Sequence, residues 1–262
     1  MLTDGLPQPY EANVRRAWMR TATRWACRRH RHTIDRSNMN PRGASEKLDD
    51  LAMGEIAAIS VMQFLDDRGR SVVAYDQVRD DDYKAPDPGW DVAASKNQDL
   101  SAWAGGPPED PTSPPDGAHL LSIKSSRIPE ADDDDIDTAI ADRDFKVLKT
   151  SDRIADDLTA DFETQVYYPL ADSRLPDDLT TAPQHIARHE VDALIDDLDM
   201  EERYGRCYIT GFCPSRRIIE HHERLINEGA SRTWPSWHAG YEKAMWAAPL
   251  RLGISPSRLT DS

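Results

Sequence analysis

Three residues of this 262-residue chain have side chains that could hold a divalent cation and activate water, namely Glu55, Asp91 and Lys124. Hydrolysis of a phosphodiester needs a hard cation at the phosphate, and carboxylate oxygens are the natural ligands of such a cation. Because Mg²⁺ keeps several waters, Asp91 and Glu55 could suffice as its protein ligands. A nearby lysine could orient or deprotonate the attacking water and offset charge on the transition state. These residue types indicate metal-assisted hydrolysis.

Lys124 lies in a segment, His119–Ser125, whose composition predicts a β-strand. Period-two alternation places Ser122 and Lys124 on one face of this strand and Leu121 and Ile123 on the other. Lys124, one of only seven lysines, therefore projects into a polar face from a mostly apolar strand. That position is unusual for a lysine and indicates a functional role.

Glu55 and Asp91 are predicted to lie on neighbouring elements. Glu55 sits inside a helix predicted over Leu48–Leu65, which is almost entirely apolar. A buried carboxylate without a partner is costly, so Glu55 is expected to meet a cation or a metal ion. Asp91 begins the apolar segment Trp90–Ala94, which is predicted to be a strand.

The remaining pattern predicts a mixed α/β order. A loop rich in Pro, Gly, Asp and Ser is inserted between strands at 95–117. Further strands are predicted at Ser71–Val78, Phe162–Tyr168 and Arg206–Phe212, and further helices at Val191–Glu202 and Ser215–Ile226.

Positive charge is concentrated near the start of the chain. Eight arginines lie between Arg15 and Arg36, and the spacing of apolar residues predicts an amphipathic basic helix over Glu11–Arg31. These arginines could contact phosphates along a duplex, or they could pair with the acidic body of the protein. Asn, Pro and Gly indicate a loop over Ser37–Lys47.

The composition is strongly acidic, with a formal net charge of -15. The chain contains 34 aspartates and 13 glutamates, and 25 arginines beside the seven lysines. Such a surface stays soluble when salt screens repulsion and resembles proteins of salt-loving microbes; an ordinary acidic cytosolic protein is the alternative. Net negative charge normally argues against nucleic acid as a partner. If the acidity is an adaptation to salt, the location of the positive charge becomes the informative quantity.

The sequence indicates a cytoplasmic protein that does not contact a membrane. No apolar run approaches the roughly 20 residues of a membrane helix, and the N-terminus lacks the order of a secretory signal. Three cysteines cannot form a disulfide framework. Cys207 and Cys213 precede His221 and His222, but the spacing lacks a zinc knuckle, so core cysteines are the favoured interpretation.

The order of these elements and residues resembles the restriction-endonuclease superfamily, whose pattern is PD…(D/E)xK on adjacent strands, often with a glutamate on the preceding helix. Pro86-Asp87-Pro-Gly-Trp-Asp91 supplies the first part, and Ser122-Ile-Lys124 supplies the second. Asp87 is the literal match, but Asp91 is preferred because it begins the apolar strand while Asp87 lies among prolines. The resemblance covers roughly residues 55–168.

The resemblance implies an α/β fold with a restriction endonuclease-like core, a central mixed β-sheet flanked by helices, and helical N-terminal and C-terminal additions. The chain would divide into a basic N-terminal helical extension at 1–47, a nuclease core at 48–230 that contains the 95–117 loop, and a Trp-rich segment at 231–262 that packs on the core. The implied cofactor is Mg²⁺, with Mn²⁺ as a substitute. Asp91, Glu55 and the backbone carbonyl of Ile123 would hold it.

Ser122 departs from the family pattern, because it stands where the family has a second acid. Some restriction enzymes with a small residue there recruit a carboxylate from elsewhere in the fold. Glu55 is the first candidate for that carboxylate, and Glu163 on the strand predicted at Phe162–Tyr168 is the second. If neither serves, the domain would be a catalytically inactive DNA-binding protein.

The activity implied by the resemblance is that of a type II restriction enzyme cutting double-stranded DNA. Lys124 would position water and Ser122 would line the site. A palindromic target would require a homodimer, and a cognate DNA methyltransferase would be encoded nearby. A repair or recombination nuclease of the same fold is the alternative. The residues expected to contact DNA are Arg20, Arg24, Arg28, Arg127, Arg216 and Arg217.

Overall fold

The fold is α/β, with a mixed six-stranded sheet flanked by helices and a separate three-stranded sheet. The computed structural model describes residues 8–33, 42–85, 87–105, 110–128, 143–145, 147–148, 158–169, 188–229, 233–235, 242–246 and 249–260. Within these ranges, no helix combines the length and apolar character that crossing a membrane would require.

Nine strands and seven α-helices are defined in the described ranges. The strands are β1 Tyr10–Asn13, β2 Ser71–Ala74, β3 Val92–Ser95, β4 His119–Ile128, β5 Val147–Leu148, β6 Phe162–Pro169, β7 Arg206–Pro214, β8 Thr233–Pro235 and β9 Glu242–Trp246. The helices are α1 Arg16–His30, α2 Ala44–Asp66, α3 Tyr75–Val78, α4 Ser101–Ala104, α5 Arg188–Asp197, α6 Met200–Tyr204 and α7 Ser215–Asn227. Short 3-10 turns follow at Leu250–Leu252 and Pro256–Thr260.

The large sheet has the strand order β1-β7-β6-β4-β3-β2. β4 and β6 pair in parallel, and the other neighbouring strands pair antiparallel. In the parallel pair, Ser122 lies opposite Glu163 and Lys124 lies opposite Gln165. β5, β9 and β8 form the small sheet.

Helix α2 is the centre of the main core. It is apolar on nearly all sides because it lies between α1 and the sheet, so both of its surfaces are buried. Leu121 and Ile123 of β4 pack in this core, which also contains Met19 and Ala22 of α1. The buried residues of α1 recur at helical spacing, as the sequence indicated.

The opposite face of the sheet carries a smaller core. Trp90 is buried there with Ala93 and Leu100, and its indole nitrogen donates to the carbonyl of Thr112 at 3.3 Å. Trp103 of α4 packs on Trp90 with ring centroids 6.2 Å apart. The inserted loop is therefore anchored to the start of β3, next to Asp91.

Two boundaries near the N-terminus differ from the sequence prediction. The helix predicted from Glu11 begins at Arg16, because residues Tyr10–Asn13 form β1 and pair with β7 at the edge of the sheet. The second helix begins at Ala44, within the segment predicted to be a loop over Ser37–Lys47. Residues 37–41 of that segment lie outside the described ranges.

Three other predictions are corrected by the structure. The strand predicted over Ser71–Val78 ends at Ala74, where α3 begins. The helix predicted over Val191–Glu202 is two helices, α5 and α6, separated where Asp199 adopts a left-handed φ of 47°. The loop predicted over 95–117 contains the short helix α4.

Candidate active site

Asp91 lies at the point where β3 stops pairing with β4. Its backbone N–H donates to the carbonyl of Leu121 at 2.8 Å, and its carbonyl accepts from the N–H of Tyr75 at 2.9 Å. Its carboxylate oxygen Oδ2 accepts from the N–H of Ile123 at 2.6 Å. A side-chain oxygen thus replaces the strand partner that β3 no longer provides, which fixes the carboxylate beside β4.

The backbone carbonyl of Ile123 faces the same edge of β4 as this carboxylate. A residue in a strand directs its N–H and C=O to the same side, and the direction repeats every second residue. Leu121 faces β3, since its carbonyl accepts from Asp91, and the N–H of Ile123 reaches the Asp91 carboxylate. The Ile123 carbonyl is therefore directed to the edge where Asp91 lies.

Lys124 reaches across the same region of β4. Its Nζ donates to Ser122 Oγ at 3.0 Å and lies 3.8 Å from Asp91 Oδ2. Burial acts to lower the pKa of Lys124, but the surrounding carboxylates, led by Asp91, outweigh burial and raise that pKa above its ordinary value. Lys124 is therefore an ammonium ion at neutral pH.

Glu163 supplies a carboxylate beside Ser122. It lies directly opposite Ser122 in the parallel β4–β6 pair, is 4% exposed, and shares a hydrogen bond with the Ser122 side chain. Burial raises the pKa of Glu163 to about 7, although Lys124 and the hydrogen bond from Ser122 act to lower it. An acid from the neighbouring strand thus stands next to the position where the sequence has a serine.

Glu55 belongs to a different group of side chains. It is 3% exposed on α2, and its Oε1 lies 2.9 Å from Nη1 of Arg29 on α1. That pair is close but misaligned, so Oε1 has no hydrogen-bond partner among the described residues. Burial, followed by the neighbouring Asp76 carboxylate, raises the pKa of Glu55 well above its ordinary value, and the two carboxyl groups share a hydrogen bond. Glu55 is therefore held by Arg29 and Asp76.

Asp87, the literal match to the Pro-Asp pair, is also engaged by arginines. Its Oδ2 lies 2.7 Å from Arg29 Nη2, and its Oδ1 accepts from Arg79 Nη1 at 2.9 Å. The chain turns between Asp87 and Asp91 at Gly89, which has a φ of 97°. A Cβ at that position would lie 2.1 Å from Thr159 Oγ1, so only glycine fits the turn.

The arginines expected to contact DNA are distributed over several surfaces. On α1, Arg20 donates to Asp192 at 2.8 Å, Arg28 lies 3.5 Å from Asp82, and Arg24 is half-buried.

The other three arginines of that set lie away from α1. Arg127 of β4, whose side chain is 27% exposed, pairs with the buried Asp49 at 2.5 Å. On α7, Arg216 pairs with Glu220 at 2.8 Å, and Arg217 donates to the carbonyl of Leu252 at 3.3 Å. Four of the six arginines expected to contact DNA therefore pair with acidic side chains of the protein itself. This arrangement favours the alternative in which the arginines pair with the protein's own acids.

Sequence reasoning missed the contributions of Arg29 and Asp76. No sequence pattern separates Arg29 from the other seven arginines near the start of the chain. Asp76 lies in a segment that was predicted to be a strand but forms the helix α3. The register of Glu163 with Ser122 depends on parallel pairing between distant segments, for which a single sequence carries no signal.

The described residues contain no group of three or more His, Cys, Asp or Glu side chains arranged to hold a metal ion. The three cysteines are buried and unpaired, and burial raises the pKa of Cys207 and Cys213 to about 12, as for core thiols. Near Lys124 the oxygen atoms that could bind a metal ion are fewer: they belong to the carboxylates of Asp91 and Glu163 and to the backbone carbonyl of Ile123.

No protein-family model, curated protein or solved structure matches this chain.

Proposed function

We propose that this protein is a metal-dependent nuclease with a restriction endonuclease-like core that hydrolyses phosphodiester bonds of double-stranded DNA. The observation that carries the proposal is the arrangement of Asp91, Lys124 and Glu163 around the end of the β3–β4 pairing. Lys124 lies 3.8 Å from Asp91, and Glu163 of the neighbouring strand shares a hydrogen bond with Ser122, which accepts from Lys124. Two carboxylates and a lysine are the set of groups that the sequence resemblance implies. The acid missing at Ser122 is replaced from β6.

The residues present fit a hard divalent cation. Asp91, Glu163 and the Ile123 carbonyl would supply three oxygen ligands, and Mg²⁺ commonly takes only one or two protein carboxylates and fills its other positions with water. Glu163 is buried, and burial raises its pKa, so a nearby cation would stabilise its ionised form. A bound Mg²⁺, or Mn²⁺ in its place, would polarise the phosphate and stabilise the negative charge that develops during hydrolysis.

Lys124 acts on the substrate as a cation in this proposal. Because its pKa is raised, its ammonium group keeps its protons, so it orients a water and offsets charge at the phosphate and does not act as the base. Ser122 fixes the lysine by accepting its hydrogen bond at 3.0 Å. Asp91 is fixed in turn by the Ile123 N–H.

Glu163 is better placed than Glu55 to complete this cation site. Glu163 shares a hydrogen bond with Ser122, and the nearby Lys124 ammonium group stabilises the ionised form of Glu163. Glu55, in contrast, is occupied by Arg29 and Asp76. Glu55 as a direct ligand remains the competing assignment, and the two are separated by the effect of each carboxamide substitution on cation binding.

The type of nuclease is carried over from the sequence resemblance. A type II restriction enzyme would act as a homodimer on a palindromic site, with a methyltransferase encoded nearby, and it would give discrete fragments. A repair or recombination nuclease would recognise a DNA structure and give no fixed fragments. The fragment pattern therefore separates the two versions of the proposal.

The experiment is incubation of supercoiled plasmid with Mg²⁺ over a range of KCl concentrations. Wild type is expected to cleave, and Asp91→Ala, Lys124→Ala and Glu163→Gln are each expected to lose cleavage by at least about 100-fold. Glu220→Gln, an exposed glutamate on α7, is the matched control for Glu163→Gln and should cleave like wild type.

Two results would contradict the proposal. If wild type binds the plasmid and never cleaves it across the salt range with Mg²⁺ or Mn²⁺, the protein is an inactive DNA-binding protein. If Glu163→Gln cleaves normally and Glu55→Gln does not, the cation is held by Glu55 as the sequence first indicated.

A further inference from the structure

A cavity of about 200 Å³ lies beside the last turn of α2, on the face of the large sheet that carries the main core. Helix α2 ends at Asp66, and Gly69, with a φ of 72°, turns the chain so that the Arg70 N–H donates to the Leu65 carbonyl at 3.2 Å. The cavity lies between this turn and residues of four strands, β3, β4, β6 and β7.

The walls of the cavity are apolar. Leu65, Ala94, Leu121 and Phe212 are buried, and Phe162 is half-buried and packs against the same core. An apolar cavity of about 150 Å³ lined by leucine, isoleucine and phenylalanine is large enough to bind benzene. The space beside α2 is therefore large enough for one aromatic ring with a small substituent.

Two side chains that carry nitrogen atoms stand at the solvent side of the cavity. Arg70 is half-buried, and the side chain of His119 is 57% exposed. The His119 ring meets the Phe162 ring edge-on, with centroids 5.6 Å apart, and its Nδ1 lies 3.8 Å from Asp161. Asp161 accepts from the backbone N–H of Leu120 at 2.8 Å. The hydrogen-bonding groups of the cavity are thus at one end of an otherwise apolar space.

The charge of the cavity lining is opposite to that of the protein as a whole. The formal net charge of the chain is -15, yet the described residues that line the cavity include an arginine and a histidine and no carboxylate. A guanidinium group binds a carboxylate through two parallel hydrogen bonds, and an imidazole N–H can donate another. The cavity is therefore complementary to an anion with an apolar body.

We propose that this cavity binds a small aromatic carboxylate. The ring of the ligand packs among Leu65, Leu121 and Phe212, because aromatic rings pack favourably on one another and on aliphatic side chains. Its carboxylate accepts hydrogen bonds from Arg70 and His119 at the solvent side. The apolar walls provide affinity for the ring, and the arginine selects the charged group.

Binding in this cavity does not depend on the proposed hydrolysis of DNA. Asp91, Lys124 and Glu163 are not among the described residues that line the cavity. Leu121 contributes to both regions, because its side chain lines the cavity and its carbonyl accepts from the Asp91 N–H at 2.8 Å. The ligand needs neither a metal ion nor DNA, so failure of the proposed nuclease function leaves this inference unaffected.

The test is a fluorine NMR titration of the full-length protein with para-fluorobenzoate, in EDTA and without DNA. Wild type is expected to broaden the probe signal and to bind one molecule per chain. Para-fluorobenzyl alcohol has the same ring without the charge. It is expected to bind at least about 10-fold more weakly, because it cannot form the charge-assisted hydrogen bonds with Arg70.

Three variants locate the probe. Arg70→Gln should weaken para-fluorobenzoate binding by about 10-fold and leave binding of the alcohol unchanged. Ala94→Leu places a larger side chain in the cavity and should abolish binding of both probes. Arg251→Gln is the matched control for Arg70→Gln, because Arg251 is exposed and is not among the described lining residues. It should bind both probes like wild type.

Circular dichroism establishes that each variant is folded. Arg70→Gln leaves the apolar walls intact, so its comparison with wild type decides the matter even if Ala94→Leu does not fold. Absence of para-fluorobenzoate binding to wild type overturns the proposal. So does equal affinity of wild type and Arg70→Gln for para-fluorobenzoate, or a folded Ala94→Leu that binds it like wild type, because the probe then lies elsewhere.

Discussion

Two buried glutamates near the candidate site have different partners and therefore different chemistry. Glu55 faces Arg29 and shares a hydrogen bond with Asp76, and burial, followed by the Asp76 charge, raises its pKa well above the ordinary value. Glu163 has Lys124 and the Ser122 hydroxyl as neighbours, and burial still raises its pKa to about 7. Glu163 is thus the buried carboxylate that adjoins Ser122 and Lys124, whereas Glu55 adjoins Arg29 and Asp76.

The Glu163 pKa predicts how metal-free protein responds to pH. Its folded pKa of about 7 exceeds its ordinary value of 4.5, so the folded state binds the proton more tightly than the unfolded state. Stability should therefore fall as pH rises from about 4.5 to about 7 and stay constant above that range, a loss of about 3 kcal/mol. The measurement is urea unfolding of wild type and Glu163→Gln in EDTA at several pH values.

Glu163→Gln cannot ionise, so the difference between the two proteins isolates this group. The variant should gain stability relative to wild type as pH rises, and Mg²⁺ should stabilise wild type more than the variant above pH 7. A stability difference that does not change with pH would show that Glu163 ionises in the folded protein as freely as in water.

Gly89 is expected to be indispensable for placing Asp91. Gly89→Ala puts a Cβ at a φ of 97° and 2.1 Å from Thr159 Oγ1, so both backbone strain and a clash oppose the native turn. We expect a loss of about 2–4 kcal/mol in unfolding free energy, together with reduced cleavage because Asp91 is two residues away. Thermal unfolding and plasmid cleavage measure the two effects.

Gly117→Ala is the matched control for Gly89→Ala. Gly117 also has a positive φ, of 86°, but a Cβ there meets nothing within 4 Å. It should show the strain without the clash and keep normal cleavage. Equal losses in the two variants would mean that the contact with Thr159 does not hold the turn.

At the level of elements, one buried aspartate joins α2, β4 and α6. Asp49 is fully buried, pairs with Arg203 at 2.6 Å and Arg127 at 2.5 Å, and accepts from the Tyr204 hydroxyl at 2.8 Å. This network connects the strand that carries Lys124 to the central helix. Arg127, one of the six arginines expected to contact DNA, is 27% exposed and pairs with this buried aspartate.

Asp49→Asn should be strongly destabilising. It leaves Arg203 without the carboxylate that it pairs with in a buried site, where removal of one member of an ion pair costs about 3–5 kcal/mol, while Arg127 keeps its pair with Asp50. Asp50→Asn is the matched control, because Asp50 is 26% exposed and its pair with Arg127 at 2.8 Å is partly solvated. Urea denaturation should give the larger loss for Asp49→Asn; equal losses would contradict a buried network.

The sequence predicted the elements whose pattern is local. α2, β6, β7 and α7 follow from apolar runs and periodicity, and their bounds agree to within a few residues. β1 was missed because Tyr10–Asn13 becomes a strand only by pairing with β7, far along the chain. The break at Asp199 was missed because its left-handed conformation is set by tertiary packing and overrides helix propensity.

The same distinction applies to the candidate site. Asp91 and Lys124 could be selected from strand context, because each stands out against apolar neighbours. Glu163 ranked behind Glu55, because only the parallel register of β4 and β6 brings it opposite Ser122. The cation that meets Glu55 comes from α1, and no rule of spacing connects Arg29 to Glu55.

At the scale of the whole molecule, added salt screens two opposing effects on stability: the repulsion from net charge, which destabilises the fold, and the ion pairs, which stabilise it. A formal charge of -15 produces general repulsion, which shortens in range from about 10 Å at 0.1 M salt to about 3 Å at 1 M. Ion pairs such as those of Arg16 with Asp196 and Glu201 are partly exposed and individually weak. Relief of repulsion should therefore dominate.

The melting temperature is expected to rise by several degrees between about 0.1 M and 2 M KCl. Sucrose at equal osmolality is the control, because it changes water activity without screening charge. A melting temperature that is unchanged or lower in KCl would favour an ordinary acidic protein whose internal ion pairs dominate its electrostatics.

The parallel pairing of β4 with β6 also bears on how activity is acquired during folding. Ser122 and Glu163 come together only when a long crossover has closed, since parallel strands cannot be joined by a tight turn. Contacts of such sequence separation form slowly, whereas helices such as α2 form within microseconds. In a refolding time course, helical signal should therefore return before cleavage does, and the interval between them measures the closing of this strand pair.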